Sequence, residues 1–222
     1  MRFMRPYLTV IIPNYNEAEN IRRGVLKNIA RYLHEQSYSW EVIISDDGST
    51  DASHDLITQF IARDSHFKLL KNVHAGKPFA LRAAVKQAVG QYVLLTDMDQ
   101  STPIDQLDKL LPYTKDQFKV IIGSRGAQRT NSSFVRKYIV SLGFLTVRRL
   151  ILLPQIVDTQ CGFKLLETNL AKKIFARMRL FGRAQRAQGW KVTAYDVELL
   201  YLAQKLGAEI QEVRVAWKDE DT

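Results

Sequence analysis

Two carboxylates one residue apart, Asp97 and Asp99, close the apolar run Tyr92-Val93-Leu94-Leu95. Gly90 precedes the run and Pro103 follows it, so it reads as a short buried strand of an α/β sheet. Ligands of such sheets gather beyond the carboxyl ends of the strands, which is where the pair falls. A period of two puts both side chains on one side, and like charges that close are unfavourable without a cation. Oxygen donors with room left for water and phosphate suit Mg²⁺ or Mn²⁺. Helix capping is the competing use. Thr102 followed by Pro103, with Asp105 behind, already supplies a cap and a first turn.

A second acidic strand end follows Glu41-Val42-Ile43-Ile44-Ser45, in Asp46-Asp47-Gly48-Ser49-Thr50-Asp51. Gly48 can make the turn, and Thr50 or Asp51 can cap a helix from about Ser53 to Ala62. That leaves Asp46 without a structural task and open as a ligand. Upstream, the β-branched strand Leu8–Ile12 runs into Pro13-Asn14-Tyr15-Asn16 and a helix from Glu17 to about Leu33. Asn16 with Glu19 has the form of a capping box, so Glu17 serves either that helix start or a ligand. Lys77, in His74-Ala75-Gly76-Lys77-Pro78, precedes a helix over Phe79–Val89. It is either solvated or meets an anion at that helix start.

These groups need a scaffold. With a third strand at Phe67–Leu70 and a fifth at Val120–Gly123, residues 1–125 alternate β-α-β-α-β-α-β-α-β. Such alternation predicts a mainly parallel sheet with helices on both faces. Neither G-x-G-x-x-G nor a P-loop occurs. Downstream, a helix over Tyr195–Leu206 would carry Asp196 and Glu198 in its first turn, where acids complement the dipole. Glu209–Trp217 alternates as a closing strand would. The 222 residues read as one domain: a nucleotide half, 1–125, and an acceptor half, 126–222.

Composition fits a soluble globule, 46% hydrophobic and 25% charged. The lone Cys161 fits a reducing compartment. Neither a signal peptide nor an apolar stretch long enough to span a bilayer is visible. The net charge of +9 calls for an anionic partner. Nucleic acid is not expected, because a nucleic-acid module has no use for Asp46, Asp97 and Asp99. Between Lys137 and Arg148 lie ten uncharged residues, so 131–153 suits either an amphipathic helix in a membrane interface or a buried core helix. The stretch from Arg177 to Lys191 carries basic residues among Leu180, Phe181 and Trp190. It suits either an anionic membrane surface or solvent.

Three linked motifs, Val10-Ile11-Ile12-Pro13-Asn14-Tyr15-Asn16-Glu17, Ser45-Asp46-Asp47-Gly48-Ser49-Thr50-Asp51 and Asp97-Met98-Asp99, resemble in order and spacing the family 2 glycosyltransferases of the GT-A fold. Asp158-Thr159-Gln160-Cys161-Gly162-Phe163-Lys164-Leu165 and Tyr195-Asp196-Val197-Glu198-Leu199-Leu200 resemble the branch containing dolichyl-phosphate β-glucosyltransferase. The resemblance implies that Pro13, Tyr15, Glu17 and Asp46 hold the nucleoside of a sugar nucleotide. It implies that the Asp97-Met98-Asp99 stretch meets ribose and diphosphate, the carboxylates through a metal. Arg125 would lie near the phosphates and Arg136 near an acceptor phosphate. Where the family has Gly-Lys-Gly, this chain has Gly76-Lys77-Pro78, which changes the backbone beside Lys77.

The chemistry follows from the groups. A departing diphosphate needs its charge neutralised, which a divalent ion supplies. A hydroxyl acceptor also needs a general base, for which Asp158 is the candidate unless it is a structural carboxylate near a turn. A phosphate monoester is mostly dianionic at pH 7, with a second pKa of about 6, and needs cations to place it instead. The expectation is inverting transfer of a hexose, glucose from UDP-glucose, to a polyprenyl or dolichyl phosphate. The enzyme would sit peripherally on the cytoplasmic face of a membrane. GDP-mannose as donor, or a polysaccharide hydroxyl as acceptor, are the alternatives.

Overall fold

The computed structural model describes residues 5–116, 118–126, 153, 155–183 and 190–218. Arg136 and all but Leu153 of the 131–153 segment lie outside them. So does the middle of the basic stretch 177–191.

The strands that carry the site are continuous apolar runs because they are covered on both faces. β1 (Leu8–Asn14) and β2 (Trp40–Asp46) are buried along almost their whole length. β3 (Phe67–Lys71) and β4 (Tyr92–Leu95) flank them, both parallel. β5 (Val120–Ser124) and β7 (Ile210–Arg214) complete the parallel set. Between β4 and β5 runs β6 (Lys164–Glu167), antiparallel to both, giving the order β3-β2-β1-β4-β6-β5-β7. The expectation of a mainly parallel sheet holds. The four-residue β6, which opens on a lysine, was not foreseen, because its pairing is decided entirely by residues far away in sequence.

Alternating side chains divide the core. Leu8, Val10 and Ile12 face α2 (Val25–His34), α3 (Ser53–Ile61) and α5 (Leu107–Leu110). Ile11, Ile43, Val93 and Leu95 face α4 (Lys77–Gln87), α6 (Thr168–Arg177) and α8 (Trp190–Lys205). The chain is thus an α/β sandwich with helices on both sides of the sheet, as the alternation predicted.

Three local expectations are corrected. The helix expected over Glu17–Leu33 is two, α1 (Ala18–Arg22) and α2, broken at Gly24, whose φ of 89° is left-handed. Thr102 does not cap. A 3₁₀ turn begins at Ile104 with Pro103 at its N-cap, and Thr102 is buried against Cys161 instead. The helix expected from Tyr195 begins at Trp190, so Asp196 and Glu198 lie past its first turn. Glu198 accepts from the backbone N–H groups of Arg179 and Leu180 (2.5 and 3.3 Å), at the start of α7 (Leu180–Arg183).

Candidate active site

Among the described residues, the groups with the predicted chemistry lie at one edge, the carboxyl ends of β1, β2, β4 and β5. Asn14 ends β1 in register with Asp46 ending β2, and Thr96 N–H, just past β4, donates to Ile11 at 3.1 Å. The only two non-glycine residues with positive φ among those described, Asn16 (58°) and Gln100 (54°), stand in the loops at this edge. Left-handed backbone away from glycine is costly and concentrates at functional sites.

The loops after β1 and β2 interlock. Asn14 Nδ2 donates to Asp46 Oδ1 at 2.6 Å, and Ser49 donates to Asp46 through both its backbone N–H (3.1 Å) and its hydroxyl (2.5 Å). Asp46 is buried. It therefore does have a structural task, contrary to expectation: it pins the turn that follows it. Asn16 is no capping-box residue, since its Oδ1 accepts from the N–H of Thr50 at 2.8 Å. Asp51 holds both helix starts, accepting from Ala18 N–H (3.0 Å) and Ser53 N–H (2.9 Å). Glu17 precedes α1 and binds Asn20 Nδ2 at 2.5 Å. Pro13 is half-buried beside this knot. Tyr15 is 43% exposed and stacks on His74 with ring centroids 4.3 Å apart, an open aromatic face on the same rim. Asp47, passed over in the sequence, accepts from the N–H groups of Ala75 (2.9 Å) and Gly76 (2.8 Å) and so fixes the entry to α4.

Asp97 and Asp99 share one cavity of about 190 Å³ with Ser101, Arg125, Gln160 and Trp217. The pair falls in the turn beyond Leu95, not within the strand, so a strand's period of two does not explain its common orientation. The turn does: Gln100 Nε2 reaches back to Asp97 O at 2.7 Å, and Asp99 Oδ1 accepts from Ser101 N–H at 2.8 Å. Met98, between them, turns its side chain into the core and is 1% exposed. Its predicted donor contact cannot involve that side chain.

Lys77 Nζ lies 2.5 Å from Asp97 Oδ1. Burial opposes its charge, but Asp97 and, more weakly, Asp196 and Asp99 outweigh that and raise its pKa. Lys77 is thus not merely solvated; it holds a carboxylate. Asp196 itself is buried and pairs with buried Lys164 at 2.6 Å. Burial pushes the Asp196 carboxyl up against the pull of Lys164. Lys164 also donates to Cys161 O.

Arg125 follows β5 and lines the same cavity. Its Nε and Nη2 bind Asp158 Oδ2 and Oδ1 at 2.7 and 2.8 Å, and its guanidinium stands 5.7 Å from the Trp217 ring. Asp158 also accepts from the backbone N–H groups of Arg125 and Gln160. Burial works against this carboxylate, yet the Arg125 guanidinium and these N–H groups hold its pKa at about 2. A carboxylate ionised so firmly is a weak base. Asp158 has a structural task as well, fixing Arg125 and the turn at Gln160.

The site fits a divalent ion by its donors: two carboxylates and a hydroxyl, all hard oxygen. It fits by space as well. A Cβ on Gly162 would overlap Asp97 Oδ2 and lie 2.9 Å from Cγ, so the facing chain is cut back to leave that carboxylate room. Gly162, Gln160 and Trp217 were not singled out as site residues. The first two stand in a motif that the resemblance covers, whereas nothing around Trp217 signals a site.

The second basic stretch is partly corrected. Leu180 and Phe181 are half-buried against the core, Phe181 against Phe79 (5.0 Å) and under the Arg82 guanidinium (4.6 Å). Among the described residues no helix is long and apolar enough to cross one.

Comparison with known proteins places these observations. The glycosyl transferase family 2 profile matches residues 9–175. A dolichyl-phosphate beta-glucosyltransferase of Dictyostelium discoideum is 33% identical over 97% of the chain and 67% of its own length. Curated relatives of this kind are thus spanned over about two thirds of their length. Among solved structures, a mannosyltransferase from Pyrobaculum calidifontis in complex with GDP-Man and Mn²⁺ superposes with a TM-score of 0.63 (21% identity; 96% of this chain, 57% of that one). A glucosyl-3-phosphoglycerate synthase from Mycobacterium tuberculosis, in complex with Mn²⁺, UDP and glucosyl-3-phosphoglycerate, does so at 0.64 (16% identity; 96% and 72%). At these identities the likeness is one of fold, and the fold is GT-A.

Proposed function

Because the chain belongs to glycosyl transferase family 2, we propose that it transfers glucose from UDP-glucose to a polyprenyl or dolichyl phosphate, with inversion, on the cytoplasmic face of a membrane. The observation that carries this reading is the Arg125–Asp158 pair. Asp158, the candidate base, is engaged by Arg125, and that guanidinium lines the cavity beside the Asp97 and Asp99 carboxylates. A guanidinium has five N–H donors; the two bonds to Asp158 leave three for phosphate oxygens. Such a site suits an acceptor that arrives as an anion and needs placing, not deprotonating.

In this reading Tyr15, Glu17 and the Asp46-pinned loop line the nucleoside end of the donor. Asp97 and Asp99 hold Mg²⁺ or Mn²⁺, which when bound neutralises charge on the departing diphosphate. Lys77 keeps Asp97 oriented. Arg125, and Arg136 by resemblance, position the acceptor, whose phosphate oxygen forms the new bond to the anomeric carbon as the bond to the UDP oxygen breaks. No proton changes hands. The lipid character of the acceptor and the membrane face rest on the named relatives and on the uncharged 138–147 stretch.

Calorimetric titration with UDP, GDP and their glucose and mannose conjugates, with Mn²⁺ and with EDTA, tests the donor. Metal-dependent UDP-glucose binding lost in Asp99→Ala is expected. Binding of GDP-mannose alone would replace the donor assignment. Turnover is then compared on vesicles carrying polyprenyl phosphate or the unphosphorylated polyprenol. Equal turnover on both would overturn the acceptor assignment.

A further inference from the structure

Among the described residues, a second cluster of ligand-type side chains lies at the opposite edge of the sheet. His34 ends α2, and Asp64 and His66 stand in the connection from α3 to β3, beside Trp40 at the amino end of β2. His34 Nε2 is 2.8 Å from Asp64 Oδ2, and His66 Nδ1 is 2.9 Å from Asp64 Oδ1. One ligand atom from each of the three residues lies within 4.8 Å of the others. We propose that His34, Asp64 and His66 bind one transition-metal ion of the Zn²⁺, Co²⁺ or Ni²⁺ class, at a site separate from the Asp97–Asp99 cavity.

Donor chemistry selects the ion. Two imidazoles and a carboxylate, with positions left for water, suit borderline metals and not Mg²⁺, which prefers oxygen. The ligands are also held in place before any ion arrives. Asp64 is mostly buried, and its Oδ1 accepts from His66 N–H at 3.1 Å. The Trp40 indole, buried, lies 4.4 Å from the His66 ring and 5.0 Å from the His34 ring, limiting where both can turn. Both imidazoles are about half exposed, so water reaches the outer side and completes the coordination. An ion there would tie the end of α2 to the α3–β3 connection. Binding to the folded state alone would stabilise the domain by mass action.

The test uses untagged protein, since a polyhistidine tag would bind the same ions, in excess Mg²⁺. Co²⁺ is titrated by calorimetry and by its visible absorption, and Zn²⁺ by thermal melting. Expected are one equivalent of Co²⁺ with nitrogen-type bands and a rise in Tm with Zn²⁺. His34→Gln and His66→Gln should each weaken binding by about tenfold or more, while leaving Mn²⁺-dependent UDP binding unchanged. Both positions are exposed enough that these variants should fold. Absence of saturable binding, binding that survives both substitutions, or binding lost in Asp99→Asn instead would each overturn the proposal.

Discussion

Arg125 closes a two-pronged bond on Asp158 from 33 positions away, Nε to Oδ2 at 2.7 Å and Nη2 to Oδ1 at 2.8 Å, with both side chains largely buried. Lysine cannot reproduce that fork. Arg125→Lys is expected to lower kcat/KM by about a hundredfold through misplacement alone. Donor binding in calorimetry should change far less. Equal losses in both would mean that Arg125 serves the donor, not the acceptor.

The same pair makes stability depend on pH at the acid end. The Asp158 carboxyl ordinarily titrates near 3.8 and is held at about 2 when folded. A depressed folded pKa stabilises above the unfolded value, and that contribution fades as pH falls from about 4 through 2. It amounts to about 2 kcal/mol at neutral pH. Urea titrations between pH 5 and 2 should show this loss, and Asp158→Asn should flatten the curve in that window while lowering stability at pH 7.

Gly162 leaves no space for a side chain beside Asp97. Gly162→Ala must push the carboxylate away from its place near Lys77. The atoms displaced end a side chain that is one-third exposed, so only a small change in Tm is expected. Mn²⁺-dependent UDP binding should weaken by about tenfold or more. Unchanged metal-dependent binding in a folded Gly162→Ala protein would show that Asp97 is not a ligand.

Lys164 and Asp196 form a buried pair at 2.6 Å. Lys164→Met strands a buried acid and should cost about 3–5 kcal/mol, whereas replacing both partners with apolar residues should be close to neutral. Denaturant midpoints of the single and double variants measure this. If the double variant is stable but inactive, the pair shapes the field around Lys77 and Asp97 and is not mere packing.

Local sequence determined the strand–helix alternation and the placement of Asp46, Asp97 and Asp99 at or just beyond strand ends, because apolar runs and their acidic stops are properties of a few neighbouring residues. The linked motifs carried the family. Local pattern was weaker on helix starts. The break at Gly24 and the start of α8 at Trp190 depend on packing; Asn16 is not the cap, and Asp196 is not in the first turn, that the local pattern predicts. Who pairs with whom was decided only in three dimensions. Lys77 on Asp97, Lys164 on Asp196 and Arg125 on Asp158 each join residues far apart in sequence, and β6, inserted between β4 and β5, carries Lys164 to its partner. It is that fold which brings residues 158–164 against the loop at 97–102. A charge's partner, and with it the choice between base and structural anion for Asp158, is set by distance and burial, and no spacing along the chain encodes either.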